Sequence, residues 1–595
     1  MDKLTPVPLP RRIRQWSDAV LSAPQTLRAL VRTDEIWLSV LATFVGAFAG
    51  ICAVAMNQTT LAAHHLLFAL KTGERLSGAT DIDHWRVLTI PALGGLLMGL
   101  IGLLLTRYRP RQTVDPIESN ALHGGRMSLG DSLIVAIQTM ISNGAGASVG
   151  LEAAYAQIGG VIGSKLGLAF RLRRNDMRIL VGAGAGAAIG AAFNAPLAGA
   201  FYGFELVIGT YSLANLAPVL LASVASVGVM HLFEGGSMST EIIVTSTIQP
   251  IDYVPILALG MACALLGILV MRGVTFTETI VRWTGLPAWL RPVAGGLIVG
   301  CLGLITPRIL SAGHGAMQYE LANQTTISAI AILFLMKSLA SAISLGTGFR
   351  GGLFFASLLL GTLVGKLWSA GLALVVHGPA LPADVCAVVG MASFAVAVVG
   401  GPLTMVFLAL ESTGSLPLTI AVLAAVVLSS LTVRRTFGYS FATWRFHLRG
   451  EAIRSAVDIG WVNNLTVSRM MRPDVRTCPI GTSLEEFKRE TPLGATQRMV
   501  MIDARGAYQG IVLVPEAHAT ETGTLENLIQ YQNFMLTPEM SIKSALAAFS
   551  QAESDALAVV ENRETRKVIG LLTEQYALRR YSEELERRRR DITGE

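Results

Sequence analysis

The chain has 595 residues, 52% of them hydrophobic and 15% charged, with a mean hydropathy of +0.53. Soluble domains carry about 25% charged residues, so this composition excludes an ordinary soluble protein and points to lipid. The net charge of +6 and pI of 9.1 are not read as a nucleic-acid footprint. The basic residues cluster beside apolar segments, as cytoplasmic loops of membrane proteins require.

The first 35 residues are polar and basic (Arg11, Arg12, Arg14, Arg28, Arg32) and show no apolar signal-peptide core. They are expected to form a cytoplasmic N-terminal segment. Apolar runs then cover roughly 37–56, 87–105, 179–208, 216–232, 254–275, 293–310, 326–345, 352–375, 385–410 and 418–433. Each is long enough, or nearly so, to cross about 30 Å of hydrocarbon as a helix. Arg107, Arg109 and Arg111 follow the second run, and Arg434, Arg435, Arg445 and Arg449 the last. The positive-inside rule places both chain ends in the cytoplasm, with a multi-pass protein in the plasma (inner) membrane.

Four segments of the membrane region carry chemistry. Gly144–Ala154 is a run of small residues entering a helix, with Glu152 at its start. Exposed amides at a helix N-terminus form an anion site. A glutamate there can occupy that site itself and act as a gate, or it can merely satisfy local amides. Leu345–Phe355 is a second glycine-rich helix entry, placed in the second half of the region as the first is in the first half. Paired broken helices point to a midplane site. Phe193-Asn194-Ala195-Pro196 leads to Glu205, and Gly401-Pro402 leads to Glu411. Such breaks are tolerated where backbone lines a cavity or packs on protein. Intramembrane Glu205, Glu411 and Lys337 are read first as structural partners of other buried groups.

From about Asn464 the charge rises and the apolar runs shorten. Two helix–strand–turn–strand units follow. The first holds Thr466–Pro473, a helix over Ser483–Glu490 and strands at Met499–Asp503 and Gly510–Val512. The second holds a helix over Ser541–Ser550 and strands at Ala556–Glu561 and Val568–Thr573. The domains are therefore 1–35, a membrane domain 36–450, α/β units at 464–520 and 530–585, and a basic tail 586–595. The five cysteines (Cys52, Cys263, Cys301, Cys386, Cys478) suggest neither a disulfide framework nor a metal site. No nucleophile–base pair points to an enzyme.

Together these residues resemble the CLC family of chloride channels and proton-coupled chloride antiporters. Gly150-Leu151-Glu152-Ala153-Ala154 is similar to the family's GREGP, Phe193–Gly199 matches FNAPLAG, and Gly346–Phe354 is similar to GSGxxGGxF. The tail resembles a CBS pair. The resemblance implies an all-α inverted repeat of tilted and broken helices with an α/β CBS pair. It also implies a homodimer with one anion path per subunit. Chloride would be the ligand, held near Ser148, Gly150, Leu151, Ala153, Leu353 and Phe354, with Glu152 as the protonatable gate.

Departures sharpen the expectation. The family's GSGIP segment aligns with Gln112–Pro116, where Thr113 keeps a hydroxyl but both glycines are gone. The inner tyrosine falls at Ala442, which implies a less enclosed central site. Arg350 either supplies a fixed positive charge there or snorkels to water. The inner proton-carrying glutamate aligns with Leu206, beside Glu205, and this favours passive conduction over antiport. In the tail, Glu516 and Tyr576 stand where an adenine nucleotide's ribose would be held, so no resident cofactor is expected and dimer contact is the favoured role. A proton-coupled antiporter of the same fold is the alternative. A CBS-regulated divalent-cation channel and a membrane-anchored nucleotide sensor are remoter ones.

Overall fold

A computed structural model describes residues 35–71, 73–108, 113–234, 242, 248–375, 381–441, 443–444, 466–521, 523–580 and 582–583. The chain divides into two units, Met1–Asp458 and Ile459–Glu595. Each is described by itself.

The first unit is helical throughout its described residues. In chain order its principal helices are α1 (Glu35–Phe68), α2 (His84–Tyr108), α3 (Pro116–Leu122), α4 (Leu129–Gly144), α5 (Glu152–Ala169), α6 (Arg174–Phe193) and α7 (Pro196–Tyr202). A π-helical turn, Gly203–Ile208, continues α7. There follow α8 (Leu213–Glu234), α9 (Tyr253–Trp283), α10 (Arg291–Ile305), α11 (His314–Ala322), α12 (Ile327–Thr347), α13 (Phe354–Val375), α14 (Ala383–Val399), α15 (Pro402–Thr413) and α16 (Leu416–Thr436). Eight of the described helices are long and apolar enough to cross a bilayer. Large apolar side chains such as Leu265, Leu269 and Phe276 on α9 are exposed, as a lipid-facing surface requires.

Three differences from the sequence reading have local causes. The runs at 179–208 and 385–410 are each two helices, not one. Asn194 closes α6 in the left-handed region at φ 51°, and Pro196 opens α7. Gly400 and Gly401 stand at φ 87° and 69° before Pro402 opens α15. Proline at the first helical position keeps no donor to lose, so a break followed by proline restarts a helix cheaply. Secondly, α4 was passed over by the apolar runs, and α5, whose start at Glu152 was expected, has no apolar run of its own. Their small and polar residues (Ser132, Gln138, Thr139, Ser142, Asn143, Gln157, Ser164) are buried against protein. Thirdly, Ala442 lies outside the described residues.

Small residues set the helix spacing. The faces of α5 and α6 meet at Gly159 and Gly184, where a Cβ on either would overlap the other's carbonyl. Dispersion contact between closely approached backbones replaces the hydrophobic drive that lipid removes.

The second unit has a three-stranded sheet of β1 (Thr477–Pro479), β2 (Arg498–Ile502) and β3 (Tyr508–Leu513), and a hairpin of β4 (Ala556–Val560) and β5 (Val568–Thr573). β1 pairs parallel to β2, β2 antiparallel to β3, and β4 antiparallel to β5. The helices expected at Ser483–Glu490 and Ser541–Ser550 are present as Leu484–Glu490 and Ile542–Ala552, each capped by the preceding serine. One boundary differs. Thr466–Pro473 belongs by sequence order to the first α/β repeat, yet Val467 and Met470 pack into the second repeat's core with Ile542, Phe549 and Leu572. Arg472 exchanges backbone hydrogen bonds with Leu571 of β5. Gln530 pairs in turn with Ile511 of β3. The two repeats thus exchange their leading segments, an arrangement that order along the chain does not reveal.

Candidate functional site

The loops before α5 and α13 meet. Gly150 and Gly352 form an antiparallel bridge, N–H to carbonyl at 2.9 Å one way and 3.1 Å the other. This sets the N-terminus of α5 against that of α13. Glu152, the first residue of α5, is buried, and its Oε1 accepts a 2.8 Å hydrogen bond from the Phe355 amide in the first turn of α13. Its Oε2 is buried without a partner. A carboxylate in that place is an anion bound at a helix N-terminus. Glycine at 150 and 352 makes the room: a Cβ at either position would overlap the Glu152 carboxylate.

Glu152 lines a cavity of about 180 Å³. Ala153, Leu353, Phe354, Tyr202 and Gln157 line it, and Thr113, Asp115, Arg350 and Phe441 stand in the same wall. Arg350 donates from Nη2 to the Thr113 hydroxyl at 2.5 Å and from Nη1 to Gln138 Oε1 at 3.2 Å. Thr113, Arg350 and Phe441 also line a second cavity of about 730 Å³, together with Gln138, Glu278, Arg282 and Arg291. These three residues therefore stand between the two cavities. Phe441, adjacent to Ala442, supplies an aromatic wall where the sequence suggested an open one.

The other candidates take different places. Ser148 is buried, with its amide accepted by Ser344 Oγ and its hydroxyl bonded to Ser341 Oγ, each at 3.0 Å. The Gly150 amide is held by the bridge, and Leu151 turns its carbonyl to the amides of Ala154 and Tyr155. None of these three lines the cavity. They fix the loop that carries Glu152.

Glu205 and Glu411 cap each other's helices. Glu205 accepts from the Leu403 and Thr404 amides, both at 2.9 Å, and from the Thr404 hydroxyl at 2.7 Å, at the start of α15. Glu411, on α15, accepts from the Leu197 and Ala198 amides at 2.7 and 2.9 Å, at the start of α7. Each broken helix presents a positive end, and the other supplies the acid. Leu206 lines the Glu152 cavity and also a smaller one of about 120 Å³ with Glu205, Ser440 and Thr443.

Lys337 is fully buried on α12. It donates to the Ile309 and Ser311 carbonyls at 3.0 and 2.7 Å. Its hydrogen-bond partners are carbonyls, which satisfies the structural reading. Ser311 Oγ continues to Asn143 Oδ1 at 3.1 Å, and Asn143 Nδ2 reaches the Val149 carbonyl at 2.6 Å. His64 Nε2 bonds the Asn143 carbonyl at 2.9 Å. Lys337 therefore anchors a polar network that ends on the Glu152 loop.

The voltage gated chloride channel family matches residues 100–434, more than half the chain. The chain belongs to that family. The match contains Thr113, Glu152, Glu205, Leu206, Arg350 and Phe354, and stops short of Phe441. Among curated relatives, a protein of Citrobacter koseri described as a voltage-gated ClC-type chloride channel is 28% identical over 402 residues, 66% of this chain and 95% of its own. A slow cyanobacterial chloride/proton antiporter shares the fold with TM-score 0.60 at 23% identity, over 69% of this chain and 97% of its own. A eukaryotic CLC transporter does so with TM-score 0.57 at 17% identity, over 92% of this chain and 98% of its own. That last share reaches beyond the membrane unit into the tail.

Sequence reasoning passed over Tyr202, Gln157, Asp115 and Phe441. Tyr202 had a signal: it follows the Phe193–Gly199 segment on the same short helix. Phe441 had none, because register after α16 is set by the turn at Gly438, not by periodicity. In the tail, Glu516 accepts from Gln530 Nε2 at 2.8 Å, and Tyr576 packs on the second core beside Arg579. Among the described residues no group of His, Cys, Asp and Glu is arranged to hold a metal.

Proposed function

We propose that the chain conducts chloride and similar small anions across a membrane, with Glu152 as the gate. The observation that carries this reading is the Glu152 carboxylate lying on the Phe355 amide at the head of α13. A carboxylate and a chloride ion compete for the same amides and the same dipole. When the carboxylate is protonated, its attraction to that positive end is lost. It swings away and an anion takes its place. The unpartnered Oε2 limits how strongly the closed position is held, since a buried oxygen without a donor costs free energy. Closed and open states are then separated by little, as a gate requires.

Passive conduction is favoured over proton exchange. A coupled exchanger needs a second proton carrier on the far side of Glu152. Leu206 faces both inner cavities and carries no proton. Glu205 is engaged by three hydrogen bonds at the start of α15. The second reading, proton-coupled antiport, rests on the fold shared with the cyanobacterial antiporter. Full-length protein in liposomes, loaded with a chloride gradient and a pH indicator, separates the two. Chloride flux without a fixed proton count supports conduction. Stoichiometric uphill proton movement sinks it.

The same reading places the protein in the inner membrane as a homodimer with both termini cytoplasmic. It takes the tail as a CBS-type pair whose role is contact and regulation. The arginines on the larger cavity draw anions toward Arg350 by field focusing.

A further inference from the structure

We infer that His314 is a positioning residue for the gate: it holds the Phe355 amide where the Glu152 carboxylate meets it. This rests on the Glu152 gate reading and adds a residue that sets how firmly the closed state is held. His314 is the first residue of α11 and is half-buried. Its imidazole lies on the Phe355 ring, with centroids 3.6 Å apart and planes 26° from parallel. Phe193, at the end of α6, stacks on the same ring at 6.0 Å and 13°. The Phe355 amide is the donor to Glu152 Oε1. The ring that His314 covers therefore belongs to the residue that receives the gate.

The segment that carries His314 also holds the other half of the closed gate. The Ser311 amide donates to the Gly146 carbonyl at 3.2 Å, and Ser311 Oγ to Asn143 Oδ1 at 3.1 Å, both on the approach to Glu152. Ser311–His314 is thus one short strap, with the Glu152 loop at one end and the head of α13 at the other. The strap is itself fixed. The Gly315 and Ala316 amides donate to Ser77 Oγ at 2.9 and 3.3 Å, and Lys337 holds the Ser311 carbonyl. A Cβ on Gly313 would stand 2.7 Å from Leu359 Cδ2, so the turn is pressed on α13. A hydrogen bond weakens steeply once its N–H no longer points at the acceptor. A stacked aromatic pair adds to area burial and prefers a defined geometry, so it can hold that aim. The groups whose charge bears on His314 are Arg75, His64 on α1 and Lys337 on α12. All are bases, and like charges oppose a further positive charge on the ring. The ring acts through its face.

The test measures chloride flux of full-length protein in liposomes from about pH 9 down to about pH 4. It reads the pH at which the acid-driven rise is half complete. His314→Ala removes the stack, so the closed position is held less firmly. The half-rise should then move about 0.5–1 unit to higher pH, the worth of one aromatic pair. His314→Phe keeps the stack without a titratable group and should keep the wild-type value. An unmoved half-rise in His314→Ala overturns the inference. A His314→Phe that shifts as far as His314→Ala does so too, because the face of the ring would then not be what matters. Phe355→Ala takes away the other half of the stack and should move the half-rise the same way. The double variant should move it no further than the larger single one, and full addition of the two shifts overturns the pairing. If His314→Ala does not fold, Phe355→Ala and His314→Phe carry the test, and an unmoved half-rise in Phe355→Ala overturns the inference. All of these outcomes leave the Glu152 gate standing. A wild type whose flux ignores pH, or a Glu152→Gln that keeps the acid rise, overturns the gate reading and this inference with it.

Discussion

At the Glu152 end of the cavity the polar partners come from the backbone: the Phe355 amide and the Gly150–Gly352 bridge. Where the cavity meets the larger one they come from side chains: the Arg350 guanidinium, the Thr113 hydroxyl and, on the larger cavity, the Gln138 amide. The difference decides what substitution can do at each end. A backbone site is blind to most side-chain changes but intolerant of any atom added where glycine makes room. A side-chain site is retuned by a single replacement. On the proposed reading, gating belongs to the first kind of construction.

The largest effect that tests this contrast is Gly352→Ala. The new Cβ would stand 2.6 Å from Glu152 Oε2, so the carboxylate must shift from its place on α13. Anion flux should lose most of its pH dependence although Glu152 is intact. Wild-type pH dependence in Gly352→Ala would show that the closed position does not need that space.

Next in size is Lys337→Met. It leaves the Ile309 and Ser311 carbonyls without their buried donor. Each unsatisfied group costs about 1–3 kcal/mol, so unfolding in detergent should shift by about 2–6 kcal/mol for the two carbonyls. The Glu152 loop should loosen through Asn143. No loss of stability would mean that this network is not continuous.

Glu205→Gln and Glu411→Gln should each cost about 1–2 kcal/mol, as loss of a helix cap does. The double variant should cost less than the sum, because each short helix is both capped and capping. Strict additivity, measured by a double-mutant cycle in detergent, would break the reciprocal account.

The smallest effect lies in the tail. The amides of Ala507 and Arg505 hold the half-buried Asp503 carboxyl below the ordinary carboxylate range. The stabilisation is therefore full above the unfolded pKa near 3.9 and disappears as pH falls through the lower folded value. Asp503→Asn should flatten the acid limb of the tail's unfolding slightly and leave neutral-pH anion flux unchanged. An unaltered acid limb would remove Asp503 from the account.

The sequence is most informative where backbone conformation carries the function. Gly150, Gly352, Pro196 and Pro402 mark the breaks directly, because few other residues fit there. The paired segments around Glu152 and Phe354 were legible for that reason. Glu205 and Glu411 were legible as buried acids, but not as reciprocal caps, since only the folded chain brings residues 205 and 403 together. The partners of Ser148 were not legible. Its small polar side chain suited an anion site, yet the facing helix α12 brings Ser341 and Ser344 to it first. The inner wall was least legible. Phe441 follows a turn, and Arg350 reaches Thr113 across 237 residues of sequence. The exchanged segments of the tail were hidden for a related reason: a strand's partner is not determined by its nearest neighbour in the chain.

The central claim is that the Glu152 carboxylate occupies an anion's place and leaves it on protonation. The direct measurement is chloride flux in liposomes for wild type and Glu152→Gln, from about pH 9 down to about pH 4, a span that brackets ordinary and buried carboxylates. The account predicts that wild-type flux rises severalfold as pH falls, while Glu152→Gln starts high and stays level. A Glu152→Gln protein that keeps the wild-type rise with acid would contradict it.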